Sequence, residues 1–86
     1  MYEFREFYIR DQMLGAIKRY IENKLEPGSF LTAIICNDLK GAVQSAVQSA
    51  DEENLKNIPA FVSYFYNEAP STCWGSIELM ENWLKK

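Results

Sequence analysis

Phe30-Leu31-Thr32-Ala33-Ile34-Ile35-Cys36-Asn37-Asp38-Leu39-Lys40-Gly41-Ala42-Val43-Gln44-Ser45-Ala46-Val47-Gln48-Ser49-Ala50 is the stretch on which the fold turns. Leu31, Ile35, Leu39, Ala42, Ala46 and Ala50 recur at threes and fours, with Ile34, Val43 and Val47 beside them. That period is helical, and it predicts one helix from about residue 30 to 50. The first half of its apolar face is bulky and the second half is small. The small half contains a repeat, Ala42-Val43-Gln44-Ser45 followed by Ala46-Val47-Gln48-Ser49. Four residues are slightly more than one helical turn, so the repeat stacks alanines on one stripe and valines on the next. Two readings follow. The repeat lengthens a helix by a turn, or Ala42, Ala46 and Ala50 form a seam that another helix, such as one from a second copy, approaches closely.

Toward the N-terminus, Phe7, Leu14, Ile17, Ile21 and Leu25 fall on one helical face, flanked by Tyr2, Ile9, Met13 and Tyr20. These positions predict a helix over about residues 3 to 25, apolar over a wide arc. Gly15 inside it costs about 1 kcal/mol relative to Ala. Pro27-Gly28 ends this helix, and the Ser29 hydroxyl opens the next as a cap.

Toward the C-terminus, Ser49 and Glu52 have capping-box spacing, with Asp51 as the alternative cap. A third helix is predicted over about 52 to 67, with Leu55, Ile58, Val62 and Phe65 buried and Phe61 joining them. Pro59 removes a backbone donor, which predicts a kink or a restart near Asn57. The stretch from Asn67 to Ser76 has no period, and Pro70 and Gly75 punctuate it. Ser76 caps a last helix over about 77 to 85, with Ile77, Met80 and Leu84 on one face and Trp83 adjacent. No segment shows the alternation of a strand. The expectation is therefore a single all-α domain over residues 1–86: a small bundle of three longer helices plus a short C-terminal helix.

Composition narrows the function more than it names it. The 86 residues are 48% hydrophobic, with five Phe, five Tyr and two Trp, which is more large apolar surface than one small core encloses. The net charge of −3, from nine basic and twelve acidic residues, lacks a basic stripe, so direct DNA or RNA binding is not expected. The start, Met1-Tyr2-Glu3-Phe4-Arg5-Glu6, is charged where a signal peptide is apolar, and no stretch approaches a membrane span. The expected compartment is the cytoplasm, with Cys36 and Cys73 as reduced thiols. There is no His, no phosphate loop, no nucleophile elbow and no metal-ligand spacing. The sequence thus predicts a protein that is not an enzyme and needs no cofactor or metal.

Six residues stand out as candidate contacts with a partner or ligand. Tyr64 and Tyr66 flank Phe65, so the three rings cannot share one core, and exposed Tyr is common in interface hot spots. Trp74 precedes Gly75-Ser76 at a helix start, where it plugs the bundle or, with Asn67, forms a recognition spot for a nucleotide-like ligand. Asn37 and Asp38 interrupt an otherwise apolar or small stretch, as contacts to a neighbouring helix end or to a partner. Cys36 reads as a near-core small hydrophobe, and Cys73 as semi-buried packing beside Trp74.

Taken together, Pro27-Gly28-Ser29-Phe30-Leu31-Thr32-Ala33, Asn37-Asp38-Leu39, Ala50-Asp51 with Asn54, Asn67-x-Ala69-Pro70, Trp74-Gly75-Ser76 and Trp83-Leu84 resemble a family of short proteins encoded by bacteriophages and prophages. The resemblance covers about residues 14 to 86. The extra Ala-Val-Gln-Ser turn departs from the family pattern. The resemblance implies an accessory protein in the host cytoplasm that binds and blocks a host protein, such as a component of an anti-phage defence system. Two alternatives remain open at this stage: an oligomer that sequesters a nucleotide-like signal, and a structural or assembly component of the virion.

Overall fold

The computed structural model describes residues 1–86. The chain does not begin as a helix. Strands β1 (Tyr2–Phe4) and β2 (Phe7–Ile9) form an antiparallel hairpin in which Tyr2 pairs with Ile9, Glu3 with Tyr8 and Phe4 with Phe7. This corrects the all-α expectation: the fold is mostly helical with a two-stranded sheet. The two-residue turn is Arg5-Glu6, with Arg5 at φ 56°, and it lacks the Gly or Asn that normally announces such a turn. Tertiary contact decides the local structure here. The hairpin lies on the helix of residues 58–68, with Ile9 fully buried and the Tyr2 ring edge-on to Tyr64 at 5.1 Å.

Arg10 is extended, at φ −67° and ψ 154°, so helix α1 runs only from Asp11 to Asn23. It buries Ile17 and Tyr20, and Lys24 in the left-handed region closes it.

The predicted helix of residues 30–50 is two helices, α2 (Ser29–Ile35) and α3 (Leu39–Gln48). Asn37 adopts φ 61°, its N–H donates to the Ile34 carbonyl at 3.1 Å, and the Asp38 N–H donates to the Ala33 carbonyl at 2.8 Å. That pair of bonds is a Schellman closure, and Asn tolerates the left-handed position better than most residues. The Asp38 carboxylate then accepts from the Gly41 N–H at 2.9 Å and caps α3. The break lets α3 fold back along α2. Ala42 and Ala46 are 0% and 1% exposed, buried in the chain's own core. Ala50 lies beyond α3 at φ 54°, closing it with a second Schellman motif through Ala50 N–H to Val47 O and Asp51 N–H to Ala46 O. The expected self-association seam is therefore corrected: two of its alanines serve the intramolecular α2–α3 contact, and the third terminates the helix.

Helices α4 (Glu52–Lys56) and α5 (Ile58–Glu68) meet at Asn57, the restart that Pro59 predicted. Pro59 sits in the first turn of α5, where its missing N–H has no intrahelical partner to lose. Asp51, not Ser49, caps α4, accepting from the Asn54 N–H at 2.9 Å. Gly28 rather than Ser29 holds the cap position of α2, and the Ser29 hydroxyl bonds the Ser45 hydroxyl at 2.7 Å instead. A 3-10 turn (Ser71–Cys73) leads to α6 (Ile77–Leu84), where Ser76 accepts from the Leu79 N–H as its spacing predicted.

One cluster of 16 buried apolar residues joins these elements. Tyr20, Phe61, Phe65 and Cys73 lie at its centre, and the Tyr20 hydroxyl donates to the Cys73 carbonyl at 2.7 Å. Burial raises the Tyr20 hydroxyl pKa above its ordinary value. The Trp83 indole N–H donates to Ile21 O at 3.2 Å, and the Gly75 N–H donates to Ile35 O at 2.7 Å. These two bonds fix the C-terminal segment to α1 and α2. No helix is long and apolar enough to cross a membrane.

Candidate functional site: the corner between α2 and α3

Helix α5 carries two apolar stripes at i, i+4 spacing. Phe61 and Phe65 face the core, whereas Ile58, Val62 and Tyr66 run along the outside. Ile58 is half-buried, Val62 is 42% exposed and Tyr66 is 78% exposed. The expectation that Val62 marks the buried face of this helix is thus corrected, whereas Ile58 is half-buried and packs against the edge of the core. Five large apolar residues span more arc than one interface covers, and the core takes the aromatic pair. Phe61 stacks edge-on against Phe30 at 5.1 Å, and Phe65 packs on Trp74 at 5.5 Å.

The outer stripe borders two grooves that share Ile58 and Val62 in their walls. One, of about 430 Å³, lies between Phe4 of the hairpin and Val62, Tyr66 and Asn67 of α5. The other, of about 200 Å³, lies between Ile58 and Val62 on one side and Asn37, Asp38 and Leu39 on the other. Leu39 is the first residue of α3 and is 66% exposed. The Asn37 and Asp38 turn aims it outward: a residue that continued the α2 helix here would have stayed on the Ile35 face. Along α3, Val43 and Val47 continue the exposed row at 37% and 57%.

Of the six candidate contacts, Asn37, Asp38, Tyr66 and Asn67 line these grooves. Asn67 is anchored through its amide, which donates to Ser63 O at 3.0 Å. Tyr64 lines neither groove; it is half-buried between Tyr2 and Phe65. Trp74 is half-buried as well, with its ring on Phe65 and 6.5 Å from the centre of Tyr66. At the start of α6 beside it, the Leu79 and Gly75 amides bond Ser76 Oγ and Ile35 O, so these two donors are engaged within the chain. Leu39, Ile58 and Val62 were not singled out from sequence as surface residues. The signal was the double stripe on α5, which exceeds what one buried face requires.

Neither thiol is poised for chemistry. Cys73 is fully buried, and burial pushes its pKa up to about 11. Cys36 is half-buried, with its Sγ 3.6 Å from the Met80 sulfur. Burial, and then the negative charges of Asp38, Glu81 and Glu78, push its pKa up. A thiol held protonated is a poor nucleophile. No three His, Cys, Asp or Glu side chains converge as metal ligands.

The one dense polar cluster lies elsewhere, between the hairpin and α4. The Arg10 guanidinium reaches Asp51 at 3.0 Å and Glu53 at 2.9 Å, and the Tyr8 hydroxyl donates to Glu53 at 2.6 Å. The Tyr8 N–H donates to Oδ1 of Asn57, which is 2% exposed. Every charge in this cluster has a partner across the hairpin–helix boundary, so the arrangement reads as a latch and not as a reaction centre. Comparison with protein-family models, with curated proteins and with solved structures finds no match to this chain.

Proposed function

We propose that this chain is a small phage-encoded accessory factor that docks on a host protein through the α2–α3 corner and blocks it by covering its surface. The partner class is a component of anti-phage defence. The observation that carries the reading is Leu39, exposed at the mouth of an apolar groove walled by Ile58 and Val62 and edged by Asn37 and Asp38. An exposed aliphatic residue beside a groove with a polar edge has the anatomy of an interface core and rim. The likeness to short phage proteins supplies the host context, and it rests partly on these same Asn37, Asp38 and Leu39 residues. The protein works by binding, with no catalytic step.

The test pairs capture with phenotype. Leu39→Lys places a charge where the partner's apolar surface would sit, without touching a buried residue. Wild-type protein retains a stoichiometric host protein from lysate, and its expression raises phage plating on a strain that carries the defence system. Leu39→Lys loses both effects while keeping the wild-type melting temperature. Equal plating by Leu39→Lys and wild type overturns the proposal.

A further inference from the structure

The other side of the α2–α3 corner is walled by different chemistry. A groove of about 620 Å³ lies beside α2, α3 and the start of α6, and Glu26, Asp38, Gln44, Gln48 and Ile77 are among its lining residues. No Lys or Arg lines it. Ile77 is 54% exposed there, an aliphatic wall inside a rim of polar and acidic groups. Glu78 and Glu81 follow on α6 with exposed side chains. Cys36 lines the same groove, and burial followed by the charges of Asp38, Glu81 and Glu78 pushes its pKa up. Several of the chain's cations are engaged elsewhere. Lys24 and Lys86 lie over the Trp83 ring at 4.2 and 4.4 Å, and Arg10 is held by Asp51 and Glu53.

Carboxylates spaced around a concave, partly apolar wall focus a negative potential and favour a partner of opposite sign. The side chains that suit both features are Arg and Lys, which cover apolar surface with their stems and carry charge at the tip. We propose that this groove receives a positively charged segment of a protein partner, its Arg or Lys stems lying on Ile77 and its charged ends meeting Glu26 and Asp38 of the lining, with Glu78 and Glu81 outside the lining, on α6 beyond Ile77, adding to the negative potential. The inference rests on the reading of the corner as a docking surface and names the chemistry of what docks: a basic segment on one side of Asp38 and an apolar contact at Leu39 on the other.

Nitrogen-15 NMR titration at low salt with a hexa-arginine peptide tests it, with hexa-glutamate and spermine as the other arms. The expected result is a set of shifts confined to residues 26–29, 38–48 and 77–81, absent with hexa-glutamate and weakened by added salt. The Glu78→Gln/Glu81→Gln double variant, altered only at exposed positions, weakens peptide binding roughly three- to tenfold. Asp38→Asn keeps the helix cap, since Asn caps as well as Asp, and weakens binding further. Three results overturn the proposal: no shifts, shifts scattered over distant carboxylates such as Glu3 and Glu22, or wild-type affinity in the double variant. Spermine binding at the same residues as tightly as the peptide assigns the groove to small polycations and also overturns it. The two readings fail separately. Peptide binding here with unchanged phage plating by Leu39→Lys removes the apolar docking reading, whereas lost plating without peptide binding removes only this one.

Discussion

The Tyr8 hydroxyl donates to Glu53 at 2.6 Å, and that bond joins the N-terminal hairpin to a helix 45 residues further along the chain. Arg10 reinforces the junction from the same side by gripping Glu53 and Asp51. The hairpin has only two short strands, and such a hairpin is marginal alone in water. Its stability is therefore borrowed from the latch and from buried Ile9. Arg10→Met keeps the stem and removes the charge. We expect it to lower stability by about 1 kcal/mol, because the Arg10 and Asp51 side chains are only partly exposed and their bonds are charge-assisted. Hydrogen exchange should accelerate first at residues 2–9. Uniform acceleration across all helices would refute the assignment of the hairpin as a separately latched unit.

The same latch sets an acid limit. Hydrogen bonds from Arg10 and from the Asn54 N–H hold the Asp51 carboxyl below its ordinary value. Hydrogen bonds from Tyr8 and Arg10 do the same for Glu53. Both carboxylates therefore bind protons more readily in the unfolded chain. Their contribution to stability is fully present above the unfolded values near pH 4 and is lost as pH falls through the lower folded ones. Urea midpoints measured from pH 6 downward should drop below about pH 4, and Arg10→Met should flatten that drop. An unchanged acid profile in the variant would separate acid sensitivity from this junction.

Gly41 occupies the third position of α3, directly over its cap. A Cβ there would collide with the Asp38 carboxylate. In an ordinary helix Gly→Ala gains about 1 kcal/mol. Here Gly41→Ala should gain nothing or destabilise, because the carboxylate must leave the Gly41 N–H. In an Asp38→Ala background, itself costing about 1 kcal/mol through the lost cap, the same Gly41→Ala change should turn stabilising. Chemical denaturation of the four proteins closes the cycle, and additive effects would contradict the close contact.

Ala50 holds φ 54° at the end of α3 without the freedom of Gly. An L-residue in that region costs about 1–2 kcal/mol, and Gly is the usual occupant of this closing position. Ala50→Gly should therefore stabilise the chain by about 1 kcal/mol, a rise in melting temperature of roughly 4–8 °C for a chain of this size. A fall would mean that the closing turn is not populated as described.

The two stripes of α5 predict opposite responses. Phe65 is fully buried between Tyr64 and Trp74, so Phe65→Ala should cost about 3–5 kcal/mol. Val62→Glu, on the outer stripe, should move stability by no more than about 0.5 kcal/mol. Thermal melts distinguish them in one experiment. A severe loss from Val62→Glu would return Val62 to the core and close the apolar groove beside Leu39.

Local chemistry made much of this molecule legible. The Asn57 restart follows from Pro59 and the start of α6 from Ser76, because each depends on a residue's own backbone preference or donor count; the end of α1 does not follow from Pro27-Gly28, since Lys24 in the left-handed region closes that helix earlier. Asn37 and Asp38 were visible as oddities in an apolar run, but their roles as helix closer and helix cap emerge only when the chain bends there. A surplus of apolar residues was readable as well, but the residues left exposed are non-aromatic apart from Tyr66, because the other rings, half-buried Tyr8 apart, pack in or against the core.

What the tertiary structure decided is which residues formed that surplus. Periodicity cannot distinguish Ile58 and Val62 from Phe61 and Phe65, since both pairs repeat at the same helical interval. The larger rings took the core because they fill the space against Phe30 and Trp74. Nor could it reveal the hairpin, whose Arg5-Glu6 turn carries no turn signal and whose strands are stable only against α5 and the latch on α4. The long helix predicted through Phe30–Ala50 fails for the same reason. Its period is real in each half, but the break at Asn37 and Asp38 gains the burial of Ala42 and Ala46 along α2, an energy that no local window contains.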